Sequence, residues 1–274
     1  MLSLDRLIEH ALLEDIHTGD ITTQAVVPEK REASARLIAK EELVLAGLFA
    51  AERVFKRLNG EVVFTACLPE GARVAKGDIL ATVQGNAADL LMGERVALNL
   101  LQRLSGIATL TACYVAAVQG TKVRIVDTRK TTPGLREVEK YAVRMGGGIN
   151  HRTGLYDGIL IKENHIAAAG GITQAVSRAR AFIPHTLKIE IEIETLEQLD
   201  EALASRAEII MLDNMSLADM RSAVNTIAGR ALVEASGGVN LESVRAIADT
   251  GVDIISVGAL THSPRAMDIS MLLD

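Results

Sequence analysis

LKIEIEIE, residues 187–194, alternates Ile and Glu with a period of two. A β-strand turns successive side chains to opposite faces, so Glu190, Glu192 and Glu194 share one side and the isoleucines the other. Downstream, TLEQLDEALASRA spaces Leu and Ala as a helix does, behind Thr195, a residue suited to cap a helix amino terminus. Further strand-like runs follow: the four beginning at Leu187, Glu208, Ala231 and Asp253 are separated by steps of 21, 23 and 22 residues. Such a step holds one strand, one helix and two turns. NLESVRAIADTG, with Asn240 as its cap, is another helical piece, while VRIVDT from Val123 and DGILIK from Asp157 extend the series upstream. Repeated strand–helix units predict a parallel sheet, and this many in succession favour a β/α barrel over a flat doubly wound sheet. The isoleucines then pack against outer helices, and the glutamates face the interior or mouth, where they need cationic partners. Lys162, on the neighbouring run, is one candidate.

The first hundred residues lack this rhythm. A helix near residues 3–14, strand-like ASARLIAK, helical GLFAAERVFKRLN, strand-like EVVFTACL and ILATVQG, and a long helix from about Ala88 predict an α+β unit of mixed order. Two domains are expected, residues 1–110 and 111–274. The run LSGIATLTACYVAAVQGT, residues 104–121, is free of charge but only mildly apolar, and is read as a buried helix at the domain junction rather than a membrane span.

The 274 residues carry a net charge of −6 and 49% hydrophobic residues, a soluble globular composition. An acidic total argues against a general nucleic-acid binder, since phosphate affinity comes from excess Lys and Arg. Cys67 and Cys113 lack CxxC spacing, and MLSLDRLIEH is charged where a signal peptide is apolar, so a reducing, cytoplasmic setting is expected.

In a β/α barrel the carboxyl ends of the strands face the active site, so the polar residue closing each run matters most. The first run ends in Asp127, Thr128, Arg129 and Lys130, and the second in Lys162; GGGINHR before it supplies His151 and Arg152. Then come Glu192, Asp213 in MLDN, Ser236, Gly237 and Gly238 in EASGG, and Gly258 in SVGAL. Guanidinium groups hold carboxylate or phosphate through paired hydrogen bonds, so four cations on one rim expect a polyanion. Glu192 and Asp213 either pair with those cations or hold magnesium together with a substrate phosphate. Glycines at late strand ends are suited to a phosphate site. Neither GxxxxGK[ST] nor GxGxxG occurs, leaving kinase and dehydrogenase readings without a motif.

LEDIHTGDITT, ERVALNLLQRLSGIAT, DTRKTTPGLR, EKYAVRMGGGINHRTGLYDGILIKENHI, IEIEIETLEQL, IMLDNM, EASGGV and GVDIISVGALTHS stand in order along nearly the whole chain. In these segments the sequence strongly resembles the nicotinate-nucleotide pyrophosphorylase (carboxylating), or quinolinate phosphoribosyltransferase, family. The resemblance implies an amino-terminal α/β sandwich and a carboxy-terminal incomplete α/β barrel of seven strands, of which six are counted above; the missing one is sought near GGGIN. It implies transfer of phosphoribose from phosphoribosyl pyrophosphate to quinolinate with decarboxylation, giving nicotinate mononucleotide, pyrophosphate and CO2, with Mg2+. By the same resemblance Thr128, Arg129, Lys130, His151, Arg152 and Lys162 line the quinolinate pocket, with Arg95 reaching it from a neighbouring subunit of a homodimer or larger oligomer. Glu192 and Asp213 are the ribose and magnesium-side acids. Ser236, Gly237, Gly258 and His262 resemble the phosphate-binding positions, Gly238, Val257 and Ala259 further substrate-binding ones, and Lys130, Lys162, Glu192 and Asp213 the catalytic ones. His17 departs from the glycine expected in EDIHTGD. Two rival readings are a Schiff-base barrel lyase using Lys162 and a non-catalytic paralogue associated with molybdate transport.

Overall fold

The structure is a computed structural model and describes residues 2–274. It divides into two units: residues up to Ala112 with Thr131–Gly147 and Ser263–Asp274, and Cys113–Lys130 with Gly148–His262. The sequence placed a single break at 110/111. The first cut falls close to it, but two later segments return to the first unit for identifiable reasons. Ile269–Leu273 pairs antiparallel with Glu32–Ala39, and the helix Arg136–Met145 buries Glu139 against Arg103 at 2.7 Å and sets Tyr141 edge-on to Phe49.

The first unit is built on a four-stranded sheet in the order Ile269–Leu273, Glu32–Ala39, Ile79–Asn86, Val63–Ala66, all neighbours antiparallel. Helix Leu48–Leu58 buries Leu48, Ala50, Ala51, Val54 and Phe55, and its amino terminus is capped by the Glu70 carboxylate, which accepts from the amide of Gly47 at 2.8 Å. Helix Leu2–Ile16 ends at His17, whose φ of 43° is left-handed, the conformation that favours glycine at a helix end and agrees with the glycine expected there from the resemblance.

Helix Ala87–Ala117 is long and apolar enough to cross a membrane by length and composition. Within the first unit, however, it packs as a core helix: Leu101, Leu104, Ile107 and Ala108 are buried, and the Ser105 hydroxyl accepts from the Ala46 amide at 3.1 Å. Gly106 permits the closest approach, because a Cβ there would overlap the carbonyl oxygen of Arg265.

The second unit is a six-stranded, all-parallel sheet. Its order is Arg124–Val126, Ile254–Ser256, Leu232–Ser236, Ile209–Asp213, Ile189–Ile193, Ile159–Ile161. The seventh position is occupied where it was sought: Ile149 bridges Val126 in parallel, with its amide bonded to the Ile125 carbonyl at 2.9 Å. That segment and Ile159–Ile161 lie at opposite edges of the order, and among the described residues no strand pairing closes them, so the barrel is incomplete. Thr195 caps Leu196–Ala204 in a capping box with Gln198, as the sequence predicts. Ser243 stands at the cap position of Val244–Ala248 without a side-chain capping bond, and Asn240, the cap expected from the sequence, instead accepts from the amides of Glu242 and Ser243 in the turn before it.

Replacing a helical glycine by alanine ordinarily adds stability. Gly106→Ala is expected to reverse that sign and destabilise the protein by about 1–3 kcal/mol through overpacking against Arg265; the urea midpoint of unfolding measures it.

Candidate active site

The parallel register decides which side chains meet inside the second unit. Glu192 is level with Met211 and Met211 with Glu234, while Asp213 is level with Ser236 nearer the strand ends. The alternation of LKIEIEIE works as the sequence implies for two of its acids. Glu190 and Glu192 are each 5% exposed, whereas Glu194 lies past the strand end and is exposed. Glu192 accepts from Lys162, the anticipated partner. Burial holds the Glu192 carboxyl above the usual range, Asp213 nearby adds to this, and Lys162 opposes it.

Thr128, Arg129, Lys130, His151, Arg152, Lys162, Asp213, Ser236, Gly237 and Gly238 all line one cavity of about 430 Å3. Burial lowers the affinity of the Arg152 guanidinium for its proton, and the charge of Arg129 beside it lowers it further. Two cations held close enough to repel one another favour an anion between them. Gly237, on the same cavity, has φ 91° and packs so that a Cβ would overlap the side chain of Asn214, whose backbone N–H donates to the Ser236 carbonyl at 3.0 Å. Only glycine fits that turn, and Gly238 follows with φ 60°, giving a stretch of open backbone suited to phosphate.

Gly258 abuts Lys130 and His262: a Cβ there would sit 3.0 Å from Lys130 Cδ and 3.2 Å from His262 Cδ2. Thr261 donates to the Lys130 carbonyl at 2.9 Å, tying that lysine to the short helix Ala259–His262. Val257, Ala259 and His262 are not among the residues lining the cavity. Val257 is buried and donates its amide to Val126 at 2.9 Å. Arg95 is exposed on helix Ala87–Ala117, in the first unit, and does not line the cavity.

Glu234 was missed in the sequence. It lines the cavity, is 1% exposed, and lies two residues before Ser236, so the same period-two rule that exposed Glu190 and Glu192 applied to it. Burial first, and then the neighbouring charge of Glu190, push the Glu234 carboxyl up to about 8; His151 opposes this. Asp127, named at the end of the first run but given no role there, is fully buried: it accepts from the His151 amide at 2.8 Å and from Asn150 at 2.6 Å, fixing the GGGINHR segment against the first barrel strand.

Magnesium is commonly held by one or two carboxylates together with substrate phosphates. Asp213 on the cavity wall, with Glu192 near enough to feel its charge, fits that arrangement. A cage made by protein alone does not arise there: among the described residues the three-donor group found is His151, Glu190 and Glu234.

Residues 20–105 match the family described as Quinolinate phosphoribosyl transferase, N-terminal domain, and residues 107–272 the one described as Quinolinate phosphoribosyl transferase, C-terminal domain. A Bacillus subtilis protein named probable nicotinate-nucleotide pyrophosphorylase [carboxylating] is 49% identical over 270 residues, covering 98% of this chain and 93% of that protein. Quinolinate phosphoribosyltransferase [decarboxylating] 1 of Nicotiana glauca is 42% identical over 290 residues, covering 99% of this chain and 82% of its own. The solved nicotinate-nucleotide pyrophosphorylase of Francisella tularensis superposes with a TM-score of 0.95 at 42% identity, over 99% of this chain and 96% of that one. With both halves matched in order and relatives similar along nearly their full length, the chain belongs to the quinolinate phosphoribosyltransferase family.

Proposed function

We propose that the cavity at the strand ends joins quinolinate to phosphoribosyl pyrophosphate and decarboxylates the product, the step that forms nicotinate mononucleotide in NAD biosynthesis. One observation carries the placement: Arg129, Lys130, Arg152 and Lys162 converge on a single cavity, with Arg129 close enough to perturb Arg152. Quinolinate brings two carboxylates to this wall. Paired guanidinium–carboxylate bonds both bind the diacid and orient its ring nitrogen.

In the same cavity, the backbone at Gly237 and Gly238 suits the sugar phosphate, as does the turn at Gly258 beside Lys130. The ring nitrogen attacks the anomeric carbon as the bond to pyrophosphate breaks, and the departing oxygen takes the electron pair. Positive charge grows on the ribose, and Glu192 and Asp213 stabilise it or grip its hydroxyls. With nitrogen ribosylated, the bond from the ring to the adjacent carboxylate breaks and CO2 departs. The electron pair stays on the ring carbon beside the cationic nitrogen until a proton is taken up. Mg2+, bound through substrate phosphates with Asp213 and Glu192 at hand, would neutralise charge on the leaving pyrophosphate.

Lys162 donates to the buried Glu192 carboxylate, the reverse of the apolar pocket that activates a Schiff-base lysine, which disfavours a lyase. The intact cationic wall and glycine turns likewise favour turnover over mere binding. We further place Arg95 in the site of a partner subunit within a homodimer or larger assembly. Cys67 and Cys113 are both free and exposed, which supports a reducing, cytoplasmic setting.

Direct assay of nicotinate mononucleotide from the two substrates tests the reading, and chelation of Mg2+ is expected to abolish the signal until the ion is returned. Lys130→Ala and Arg152→Ala should each lower kcat/KM for quinolinate by roughly 10- to 100-fold, the worth of a charge-assisted hydrogen bond, with thermal midpoints unchanged. Mixing Arg95→Ala with Lys130→Ala protein under conditions of subunit exchange should restore roughly a quarter of wild-type activity, because half the dimers then carry one intact site. Exchange without recovery would place the site within one chain.

A further inference from the structure

His151 is gripped from three directions. Its amide donates to Asp127 at 2.8 Å, its Nδ1 accepts from the Arg152 amide at 2.7 Å, and its Nε2 lies 3.1 Å from Glu190 Oε2 and 3.6 Å from Glu234 Oε1. A neutral imidazole has one donor and one acceptor nitrogen. With Nδ1 accepting, the proton belongs on Nε2, where it points at Glu190. That tautomer also leaves no lone pair at Nε2 for a metal, so the His151–Glu190–Glu234 group is not a cation site despite its spacing.

One oxygen of each acid is left unmatched. Glu190 Oε1 and Glu234 Oε1 have no hydrogen-bond partner, and leaving a buried carboxylate oxygen unmatched is costly unless the group is needed where it stands. Their location gives that need. His151 and Glu234 face both the substrate cavity and a second cavity of about 580 Å3, which Glu190 also lines with Arg124 and Lys188. The group is therefore the partition between the two cavities.

We infer that Glu190 and Glu234 are positioning residues that lock the tautomer and ring plane of His151, and through the His151–Arg152 backbone contact set the direction of the Arg152 guanidinium. This rests on the quinolinate site proposed above, and it changes the part His151 plays there. Its two ring nitrogens are turned to the Arg152 amide and the acid pair, so His151 orients the cationic wall instead of donating an N–H to the diacid. Glu234 sits beside the buried Ser256 and close enough to Glu190 to feel its charge, which completes the acid pair behind the His151 ring.

Two readouts test this. Long-range 1H–15N NMR of histidine-labelled wild-type protein, with the His151 signal identified by its loss in His151→Gln, should show the Nε2–H tautomer. An Nδ1–H pattern would overturn the proposal, whatever reaction the enzyme performs. In steady-state kinetics, Glu190→Ala should raise KM for quinolinate roughly tenfold, the loss of one buried hydrogen bond, while KM for phosphoribosyl pyrophosphate stays within twofold. Glu190→Gln, which keeps an acceptor for Nε2–H, should return KM for quinolinate to near wild type. Unchanged kinetics in Glu190→Ala, or equal rises in both KM values, would refute a positioning role. If Glu190→Ala does not fold, the wild-type tautomer decides alone, and a Glu190→Gln KM for quinolinate raised as far as that for phosphoribosyl pyrophosphate would also refute the role. Failure of wild-type protein to form nicotinate mononucleotide would refute the site reading and leave the tautomer result standing.

Discussion

Four carboxylates, Asp127, Glu190, Glu192 and Glu234, are almost wholly buried inside one parallel sheet, and each must be compensated or neutralised. Side-chain exposure is low there, so much of the compensation comes from the neighbours, and each solution involves a group of the site. Asp127 takes the amide of His151, Glu192 takes the Lys162 ammonium, Glu190 faces the His151 ring, and Glu234 keeps its proton to higher pH. The cationic wall stands on this acidic floor. Without the floor, Arg129, Lys130, Arg152 and Lys162 would be flexible surface charges. With it, at least His151, Arg152 and Lys162 are anchored from below, and less ordering remains to be done when an anion arrives.

The sheet geometry makes such a floor inexpensive to specify. Period-two alternation sends the acids inward and the isoleucines outward, and parallel register brings Glu192 and Glu234 to the level of Met211 from neighbouring strands. Helices covering the outer face bury Ile189, Ile191, Ile193, Ile210 and Leu212, so the apolar half of each strand stabilises the sheet that the acidic half would weaken. The Gly237–Gly238 turn is the counterpart at the rim, where left-handed backbone presents amides in place of side chains.

Much of this was legible in the chain because the signals are local. Steps of 21, 23 and 22 residues between runs starting at 187, 208, 231 and 253 announce strand–helix units, and cations at strand ends follow from the barrel itself. The seventh strand escaped the pattern because a single bridge at Ile149 is too short for any periodicity, although glycines upstream marked the spot. Glu234 escaped because one acid in ALVEASG lacks the repetition that made Glu190 and Glu192 visible. The return of Thr131–Gly147 and Ser263–Asp274 to the first unit had no local sign at all. Antiparallel pairing of Ile269–Leu273 with Glu32–Ala39 joins positions that no short window contains.

That last pairing bears on how the protein is made. A ribosome releases residues 32–39 long before 269–273, and the whole barrel segment emerges in between. Until the late strand arrives, one side of Glu32–Ala39 offers open backbone to any passing polypeptide, a recognised route to misassembly. The barrel unit, whose parallel ladder is complete by Ser256, is free to mature first. In a chain extended only between these two points that edge of Glu32–Ala39 has no partner strand, and the amino-terminal sheet is among the last parts of the molecule to be finished.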